Sequence, residues 1–596
     1  MTVFRVWAPR AERVDVVLGE ARHPMDGPDG VGWFEAEVDG PRPGDDYAYS
    51  LDGGDPRPDP RSPWQPHGVH GPSRLVDQSA FVWSDADWAG GATLAESVIY
   101  ELHVDTFSPE ETYEGAVPKL DHLVELGVTT VELLPVVEYP GRWGWGYDGV
   151  DLYAPNSSDG GPEGLKRLVD ACHARGLAVI FDVVYNHLGP AGNYLGEYGP
   201  YFTDRYGTPW GEAVNLDGRD SDPVREFVLD NAIMWLRDYH ADGLRLDAVH
   251  AIVDTSATHI LEEMAVRVDA LEAELGVVKF LIAESDLNDP RVVREREVGG
   301  YGIDAQWSDD FHHALHALLT GERAGYYSEF GSLDQLAKAL RQAFVYDGCW
   351  SPHRRRRHGR TPTRVPATRF LAYLQNHDQI GNRAHGERSA ALLSEGLLKV
   401  ASALVLLGPS VPMLFQGEEW AASTPFLYFT DHEDPDLGRA VTEGRRREFA
   451  AFDWGPSGPA GAGGRNPHEV PDPQDPDTFR RSKLDWDEVS RSPHRDVLDW
   501  HRRLIALRRS TPELTGGSFD SVTVDFDEAT QWLVLATGPL MVVCNVGPEP
   551  AKVPVRPGRI VLASDDTAEV DGECAILPLE SVIVLRISPE PSTGLV

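Results

Sequence analysis

The chain is poor in cysteine and in long apolar runs, and each absence excludes a class of protein. Only 4 cysteines occur in 596 residues, and none stands in a CxxC or Cys/His spacing. This argues against a disulfide-stapled secreted module and against a structural zinc site. The most apolar stretch, 397–415, is interrupted by a lysine, a glycine and two prolines, so it is too broken to span a bilayer. The first residues lack a basic start followed by an apolar run, so we expect no signal peptide and a cytoplasmic location.

Basic residues are scarce relative to acidic ones. The chain has 54 Lys and Arg against 95 Asp and Glu, a formal net charge of −41 at pH 7. Such a surface repels phosphate backbones and anionic lipid heads, so neither nucleic acid nor a membrane is an expected partner. Hydrophobic residues make up 41% of the chain, which is enough for sizeable cores and excludes disorder throughout.

Both ends of the chain have the pattern of short strands. Residues 1–90 contain β-rich runs such as 4–7 and 13–18, separated by Pro, Gly and Asp clusters, and predict an immunoglobulin-like or carbohydrate-binding-like β-sandwich. Residues 513–596 return to such runs, for example 581–585, and predict a second β-sandwich.

The stretch 91–512 repeats the order of strand, loop and helix. Eight apolar runs predict strands at 98–104, 130–137, 178–184, 243–248, 280–283, 303–307, 370–374 and 411–415. Amphipathic stretches such as 162–175 and 223–239 predict helices between them. Eight alternating units predict parallel pairing and a closed (β/α)₈ TIM barrel with long loop insertions. An open doubly wound sheet is compatible with the same pattern and stays the alternative.

Polar residues follow predicted strands three, four, five and seven. They are Asp182, His187, Arg245, Asp247, His250, Glu284, Asp286, His377 and Asp378. In a (β/α)₈ barrel the carboxyl ends of all strands meet at one rim, where active sites are built. Several acids beside His and Arg at one rim favour a site over isolated structural ion pairs. A metal cluster at Asp182, His187 and Asp378 is the alternative, but the grouping is not selective, so we expect no metal and no cofactor.

Two of these carboxylates have the spacing of a glycosidase. Asp247 and Glu284 end adjacent strands about 4.8 Å apart, and a carboxyl separation of about 5–5.5 Å suits a retaining mechanism. Arg245 faces the same way as Asp247 and is expected to hold it ionised, as a nucleophile needs. Glu284 follows an apolar run without a basic neighbour, so we expect a raised pKa and a general-acid role. Asp378 is placed to bond sugar hydroxyls.

Aromatic residues are dense in the loops predicted on the same side. They are Trp143, Trp145, Tyr147, Trp210, Trp350, Trp420 and Tyr428. Flat rings pack against the apolar face of a sugar, and we assign half of this set to the site and half to the core. The basic run 353–360 lies in a Pro-flanked loop and is interpreted as a solvated loop.

These segments resemble the α-amylase family of glycoside hydrolases. The matching motifs are DVVYNH at 182–187, GLRLDAVH at 243–250, Glu284, and NHD at 376–378. The resemblance covers nearly the whole chain and implies that Asp247 is the nucleophile, Glu284 the acid/base and Asp378 the transition-state stabiliser. It places further residues at the subsite of the cleaved bond: Tyr147, Asp182, His187, Arg245 and His377. His250, in the same motif as Asp247, is a further expected substrate-binding residue. One departure is Gln416, where the family pattern has an apolar residue.

Finer features resemble those family members that release trehalose from maltooligosyl chains. They include the segments 144–151, 282–289, 306–313 and 426–432. This resemblance implies maltooligosyltrehalose and related α-1,4-glucans as substrates, and a maltooligosyltrehalose synthase as the enzyme that supplies them. We expect trehalose recognition beyond the general acid, at Asp286, at Asn288 and Asp289 in the adjoining loop, and at Trp307 and Asp310. Two alternatives stay open: a glycogen branching enzyme, which transfers the glycosyl unit to a 6-hydroxyl, and an inactive glucan-binding module.

Overall fold

A computed structural model describes residues 1–208, 211–451 and 470–587 of the chain. Its centre is a closed barrel of eight parallel strands, numbered β1 to β8 in chain order. The strands are β1 Ile99–Leu102, β2 Thr130–Leu133, β3 Ala178–Val183, β4 Gly243–Leu246, β5 Phe280–Ala283, β6 Ala305–Trp307, β7 Phe370–Ala372 and β8 Val411–Phe415. Each pairs with the next, and β8 pairs with β1. The predicted TIM barrel is confirmed, and the open sheet is excluded.

Helices surround the barrel and cover the outer face of its strands. The main ones are Leu120–Leu126, Gly161–His173, Asp222–Asp238, Ile260–Leu275, Asp309–Thr320, Leu333–Gln342, Glu395–Leu406 and His494–Arg509. Because all eight strands are buried on both faces, their sequences are mostly apolar, with a few buried polar residues such as Glu101 on β1 and Arg245 on β4. Pro162 and Pro223 lie in the first turns of their helices, as predicted. Among the described residues, no helix is long and apolar enough to cross a membrane.

Segments after the strands form the upper rim of the barrel. They include three hairpins, Val137–Glu138 with Asp151–Pro155, Phe202–Thr208 with Gly211–Val214, and Trp350–Ser351 with Arg356–Arg357. They also include six helices, Val104–Phe107, Tyr113–Ala116, Leu195–Tyr198, His377–Gly381, Ser389–Leu392 and Pro476–Arg481. The insertion after β8 adds one long helix, Pro435–Ala451. This insertion therefore contains regular structure where the sequence predicted only a loop, and its residues 452–469 lie outside the described ranges.

Two β-sandwiches flank the barrel, as the sequence predicted. The first is built from Thr2–Trp7, Val14–Leu18, Ala21–Pro24, Trp33–Val38, Asp46–Leu51 and Ser73–Arg74. The second has a five-stranded and a three-stranded sheet. Its strands are Thr523–Asp527, Trp532–Thr537, Leu540–Asn545, Ala551–Pro554, Gly558–Ala563, Glu569–Asp571, Cys574–Leu577 and Ser581–Ile587. The apolar faces of these two sheets share one core.

Candidate active site

The register of β4 and β5 brings Asp247 and Glu284 side by side. Leu246 on β4 is paired with Ala283 on β5, and the two acids are the next residues on each strand. The Glu284 N–H donates to the Leu246 carbonyl at 3.0 Å, which continues the parallel pairing to the rim. Neighbouring strands lie about 4.8 Å apart, so the two carboxyls are close neighbours at the carboxyl end of the barrel.

Arg245 connects three carboxylates from inside the barrel. Its Nη1 donates to Asp182 Oδ2 at 2.7 Å and to Asp247 Oδ1 at 2.8 Å, while Nη2 donates to Glu284 Oε2 at 2.7 Å. The guanidinium is completely buried. The sequence predicted a contact with Asp247 only. The structure shows a planar fork that sets the positions of both candidate catalytic acids, which suits the fixed donor geometry of arginine.

Trp307 lies beneath this arginine and away from the open cleft. The Arg245 guanidinium carbon is 4.4 Å from the centre of its ring, a cation–π contact in the barrel core. Trp307 is 1% exposed. The prediction that it contacts the trehalose unit is therefore corrected: its side chain supports Arg245 from below and does not reach a sugar in the cleft.

Asp247 is fixed from a second side by the loop after β3. The Asn186 Nδ2 donates to Asp247 Oδ2 at 2.6 Å and to the Asp247 carbonyl at 2.9 Å. His187, next in sequence, hydrogen-bonds the same Asn186 through Nδ1 and the Tyr147 carbonyl through Nε2. Burial lowers the pKa of His187 to about 4, so its ring is neutral at pH 7. Sequence reasoning missed Asn186, although it lies inside the 182–187 motif.

Glu284 accepts hydrogen bonds from both Arg245 and the backbone. The Ala248 N–H donates to Glu284 Oε2 at 2.8 Å, from a residue whose φ of 39° lies in the left-handed region. Burial raises the pKa of Glu284, Arg245 opposes this shift, and the negative charge of Asp247 adds to it. The net direction is upward, as a general acid requires. His250 lies exposed on the turn Val249–Ala251, where its charge lowers the pKa of Glu284 slightly.

His377 is held as a cation between β1 and Tyr147. Its Nδ1 lies 2.5 Å from Glu101 Oε1, and its backbone N–H donates to Glu101 Oε2 at 3.0 Å. The Tyr147 hydroxyl donates to Asp182 at 2.6 Å, so it accepts from His377 Nε2 at 2.7 Å. Burial lowers the pKa of His377, but the charges of Asp378 and Glu101 outweigh it and raise the pKa to about 9. Sequence reasoning missed Glu101, which β1 points inward.

Asp378 occupies the first turn of the short helix His377–Gly381. The Asn376 side chain caps this helix and accepts from the Asp378 N–H at 3.0 Å. On the other side, Asn382 Nδ2 donates to Asp378 Oδ1 at 3.3 Å. The carboxylate is about a third exposed and faces the same cleft as Glu284.

That cleft has a volume of about 550 Å³, within the range of small-molecule sites. Asp286 lines it beyond Glu284, and so do Arg354 and Arg356 from the hairpin Trp350–Ser351 with Arg356–Arg357. Arg354 is 17% exposed and lies 3.7 Å from Asp286 and 3.6 Å from Glu329. The interpretation of 353–360 as a merely solvated loop is therefore wrong, because long-range pairing places part of it against the site.

Asp310 is a structural residue, and Asp309 faces the cleft in its place. Asp310 is buried, and its Oδ2 accepts from Asn288 Nδ2, from the Val345 N–H and from the Tyr346 N–H, all at 2.8 Å. It therefore orders two loops, which corrects the prediction of a sugar contact. Asp309 lines the cleft, and burial raises its pKa to about 7.

The predicted aromatic set divides between core and surface. Trp145 and Trp420 are buried and unavailable to a sugar, whereas Trp350 is 59% exposed. Tyr147, Trp143 and Tyr428 are partly exposed at the rim. Trp210 lies outside the described residues.

Gln416, the departure from the family pattern, is fully buried and has partners for its amide. Its Oε1 accepts from the His103 N–H at 3.0 Å, and its Nε2 donates to Thr106 Oγ1 at 2.8 Å. Glutamine therefore replaces an apolar residue without leaving a polar group unsatisfied. In the part of the chain that the structure describes, no group of three or more His, Cys, Asp or Glu side chains is arranged to bind a metal ion.

Three family models match separate parts of the chain. "Alpha amylase, catalytic domain" matches residues 95–201, and "Carbohydrate-binding module 48 (Isoamylase N-terminal domain)" matches residues 1–65. A domain of unknown function, DUF3459, matches residues 517–584 in the second sandwich. The barrel, the rim acids and these matches define a glycoside hydrolase of the alpha-amylase class.

The full-length relatives give the family within that class. A malto-oligosyltrehalose trehalohydrolase of Rhizobium sp. (strain M-11) is 50% identical over 98% of this chain and 97% of its own length. The protein of the same name from Arthrobacter ramosus is 51% identical over 94% of this chain and 95% of its own. The chain belongs to the malto-oligosyltrehalose trehalohydrolase family.

Two further comparisons bear on fold and on the alternative function. A crystal structure from Salmonella typhimurium, whose name assigns it to the alpha amylases, has a TM-score of 0.88 and 37% identity, over 98% of this chain and 97% of its own. A 1,4-alpha-glucan branching enzyme of Salinibacter ruber is 32% identical over 52% of this chain and 57% of its own. The likeness to the branching enzyme is therefore partial.

Proposed function

We propose that the chain cleaves the α-1,4-glucosidic bond next to the terminal trehalose of maltooligosyltrehalose, with retention of configuration. The products are free trehalose and a shortened maltooligosaccharide. The observation that carries the chemistry is the pair of carboxylates, Asp247 and Glu284, on one guanidinium fork at the rim. The substrate class is supported by relatives of that name at about half identity over nearly the whole chain.

In the first step, Asp247 is the nucleophile and Glu284 the general acid. A carboxylate oxygen of Asp247 bonds to the anomeric carbon as the bond from that carbon to the glycosidic oxygen breaks. Glu284 gives its proton to that oxygen, so trehalose leaves as a neutral alcohol. Arg245 orients both groups, and the raised pKa of Glu284 keeps its proton available.

In the second step, water replaces trehalose on the same side of the sugar. Glu284, now ionised, takes a proton from the water, whose oxygen bonds to the anomeric carbon while the bond to Asp247 breaks. Two displacements at one carbon retain the α configuration. The enzyme returns to its starting protonation state.

Asp378 acts on the sugar between the two acids, while the buried His377 donates to Glu101 and Tyr147 and supports the site from within the protein. The Asp378 carboxylate accepts hydrogen bonds from ring hydroxyls, and these strengthen as positive charge develops in the oxocarbenium-like transition state. His377 is a donor in its charged form, and Tyr147 connects it to Asp182. These groups are preorganised by bonds already present without substrate.

Asp286 and Arg354 are the candidate contacts for the trehalose unit. Both line the cleft on the side beyond Glu284, where the leaving group sits. Trehalose differs from maltose in the linkage and direction of its last ring, so discrimination requires hydroxyl contacts that maltose cannot satisfy. Asp286 and Arg354 disfavour a leaving group whose hydroxyls do not match them, because the two side chains then lack hydrogen-bond partners.

We also propose that a maltooligosyltrehalose synthase supplies the substrate and that the enzyme acts in the cytoplasm. The chemistry supports the first statement, because rearrangement of the last linkage of a maltooligosaccharide yields a terminal trehalose. The acidic composition and the sparse cysteines support the second.

Incubation with maltotriosyltrehalose beside maltopentaose, followed by sugar analysis, tests the function. We expect free trehalose and maltotriose from the first substrate and much slower cleavage of the second. New α-1,6 branches instead of trehalose indicate a branching enzyme. The test includes this alternative because the chain is partly similar to an enzyme of that class. Absence of any turnover with both substrates is the result expected of a glucan-binding module.

A further inference from the structure

We propose that Arg445 is a positioning residue for Asp378 and that it connects the helix Pro435–Ala451 to the active site. The inference rests on the proposed function, which assigns Asp378 to stabilising the transition state. Arg445 comes from the insertion after β8, whereas Asp378 comes from the loop after β7. The contact therefore joins two rim segments that are 67 residues apart in sequence (445 − 378).

Arg445 bonds to the end of the short helix that carries Asp378. Its Nη2 donates to the Gly381 carbonyl at 2.7 Å, and its Nη1 donates to Asn382 Oδ1 at 2.8 Å. Gly381 is the last residue of the helix His377–Gly381, and Asn382 is its C-terminal cap. One guanidinium thus satisfies a carbonyl at the helix end and orients the side chain that follows it.

Asn382 transmits this contact to the Asp378 carboxylate. Arginine can only donate, so the amide oxygen of Asn382 must face Arg445 and the amide nitrogen must face the other way. That nitrogen donates to Asp378 Oδ1 at 3.3 Å, and the Asn382 backbone N–H donates to the Asp378 carbonyl at 2.9 Å. Without Arg445, the Asn382 amide is free to turn, and Asp378 loses an oriented donor.

The guanidinium itself is fixed in place by aromatic rings. Its carbon lies 4.7 Å from the ring centre of Tyr428 and 4.7 Å from that of Phe449, and Nη1 is 3.3 Å from Glu448. The Arg445 side chain is only 13% exposed. Lysine has neither the planar face nor two donor nitrogens held apart in a fixed fork, so it cannot reproduce these contacts.

The opposite side of the Asp378 helix is packed tightly. A Cβ added at Gly381 would lie 1.9 Å from the Trp145 ring, so no larger residue fits there. Trp145 also contacts the His377 ring edge-on, with ring centres 5.6 Å apart. The helix that carries Asp378 is therefore packed against Trp145 on one side and bonded to Arg445 on the other. Substitution of Arg445 removes the polar contacts and leaves the aromatic packing in place.

The test compares Arg445→Ala, Arg445→Lys and Asn382→Ala with Arg447→Ala as the matched control. Arg447 is on the same helix and exposed, and among the described residues its ion pair is with Glu443 at 3.7 Å. Trehalose release from maltotriosyltrehalose is measured for kcat and KM, with thermal unfolding in parallel. We expect kcat to fall about 10- to 100-fold in all three test variants, with KM changed less than about threefold, as for an interaction used mainly in the transition state. The double variant Arg445→Ala/Asn382→Ala is expected to lose no more than the worse single variant, because both act through one path.

Unchanged kcat in Arg445→Ala with an active control overturns the positioning role. So does a full additive loss in the double variant, or a rise in KM that accounts for the whole effect. If Arg445→Ala does not fold, the kinetics of Asn382→Ala decide whether the positioning role holds, because that variant keeps the bond from Arg445 to the Gly381 carbonyl. Failure of wild type and Arg447→Ala to release trehalose is a separate result, which overturns the proposed function itself.

Discussion

Arg245 donates to Glu284 Oε2 at 2.7 Å, and with its other terminal nitrogen it donates at 2.8 Å to Asp247. The candidate acid and nucleophile thus share one buried cation. A shared arginine fixes the distance between them and stabilises the charge on the nucleophile. It also opposes the rise in the pKa of Glu284 that burial causes. A lysine in place of Arg245 keeps the positive charge but lacks the forked donor geometry of the guanidinium.

Arg245→Lys is therefore expected to lower kcat by about 100-fold or more, since a single ammonium nitrogen lacks the two spaced donor nitrogens with which Arg245 reaches three carboxylates. It also leaves a buried acceptor unpaired, which costs about 1–3 kcal/mol of unfolding free energy. The matched control is Arg508→Lys, because Arg508 is similarly buried but, within the described ranges, its side chain bonds the backbone carbonyls of Leu406, Gly408 and Ser410 and no carboxylate. Kinetics and denaturant unfolding of both variants check this. Equal kcat in the two variants contradicts the assignment.

Asp247→Ala and Glu284→Gln are each expected to lower turnover by roughly 10³-fold or more, because each removes a group that reacts. Stability should change little, since Arg245 keeps two carboxylate partners in either variant. Steady-state rates and thermal unfolding measure this. Retention of more than about a tenth of the wild-type rate, worth only ~1.4 kcal/mol of barrier, contradicts the role of that residue.

The stereochemistry of hydrolysis follows from the adjacent-strand geometry. Neighbouring carboxylates leave no room for a water between the Asp247 carboxylate and the sugar, so the maltooligosaccharide product should first appear as the α anomer. NMR spectra recorded during early hydrolysis, before mutarotation, distinguish the anomers. Initial release of the β anomer contradicts the covalent role of Asp247.

His377 should make stability depend on pH on the alkaline side. Its pKa is raised from 6.5 to about 9, so its stabilising contribution is complete below pH 6.5 and is lost as pH rises through 9. The shift corresponds to a loss on the order of 3 kcal/mol over this window. His377→Gln should remove this alkaline loss from the unfolding free energy.

His501→Gln is the matched control, because burial lowers the pKa of His501 and its ring is neutral throughout this window. The control should keep the wild-type slope between pH 6.5 and 9. An identical slope in wild type and His377→Gln shows that His377 is not charged in the folded enzyme.

The sequence was sufficient to predict the barrel and the candidate catalytic acids. The eight apolar runs had the lengths of buried strands. Asp247 and Glu284 stood at the ends of two of them and Asp378 came shortly after a third, where the fold builds its rim. The strand register then confirmed that Asp247 and Glu284 are neighbours.

The sequence did not indicate what lies beyond the strand ends. Asp309 and Asp310 differ by one position and both lie in the first turn of the helix Asp309–Thr320, where the alternation of the strand no longer determines which one faces the cleft. Arg354 comes 70 residues after Glu284 (354 − 284), and only the folded hairpin places it in the site. Contacts of this kind depend on tertiary packing and leave no local pattern.

The pair of Asp286 and Arg354 should determine selectivity for the trehalosyl substrate. The two side chains lie 3.7 Å apart in the cleft beyond Glu284, and neither touches Asp247 or Glu284 through a direct hydrogen bond in the described structure. Asp286→Ala and Arg354→Ala are each expected to lower kcat/KM on maltotriosyltrehalose by about 10- to 100-fold. Activity on maltopentaose should change less than about threefold, because the maltosyl leaving group does not satisfy the same polar groups.

Asp289→Ala is the matched control for the loop after β5. Asp289 carries the same charge three residues further on, but it pairs with Arg291 at 2.6 Å instead of lining the cleft. The control should retain wild-type rates on both substrates. An equal loss on both substrates in Asp286→Ala or Arg354→Ala means that these residues only support Glu284 or the loop, and trehalose recognition then lies elsewhere in the cleft.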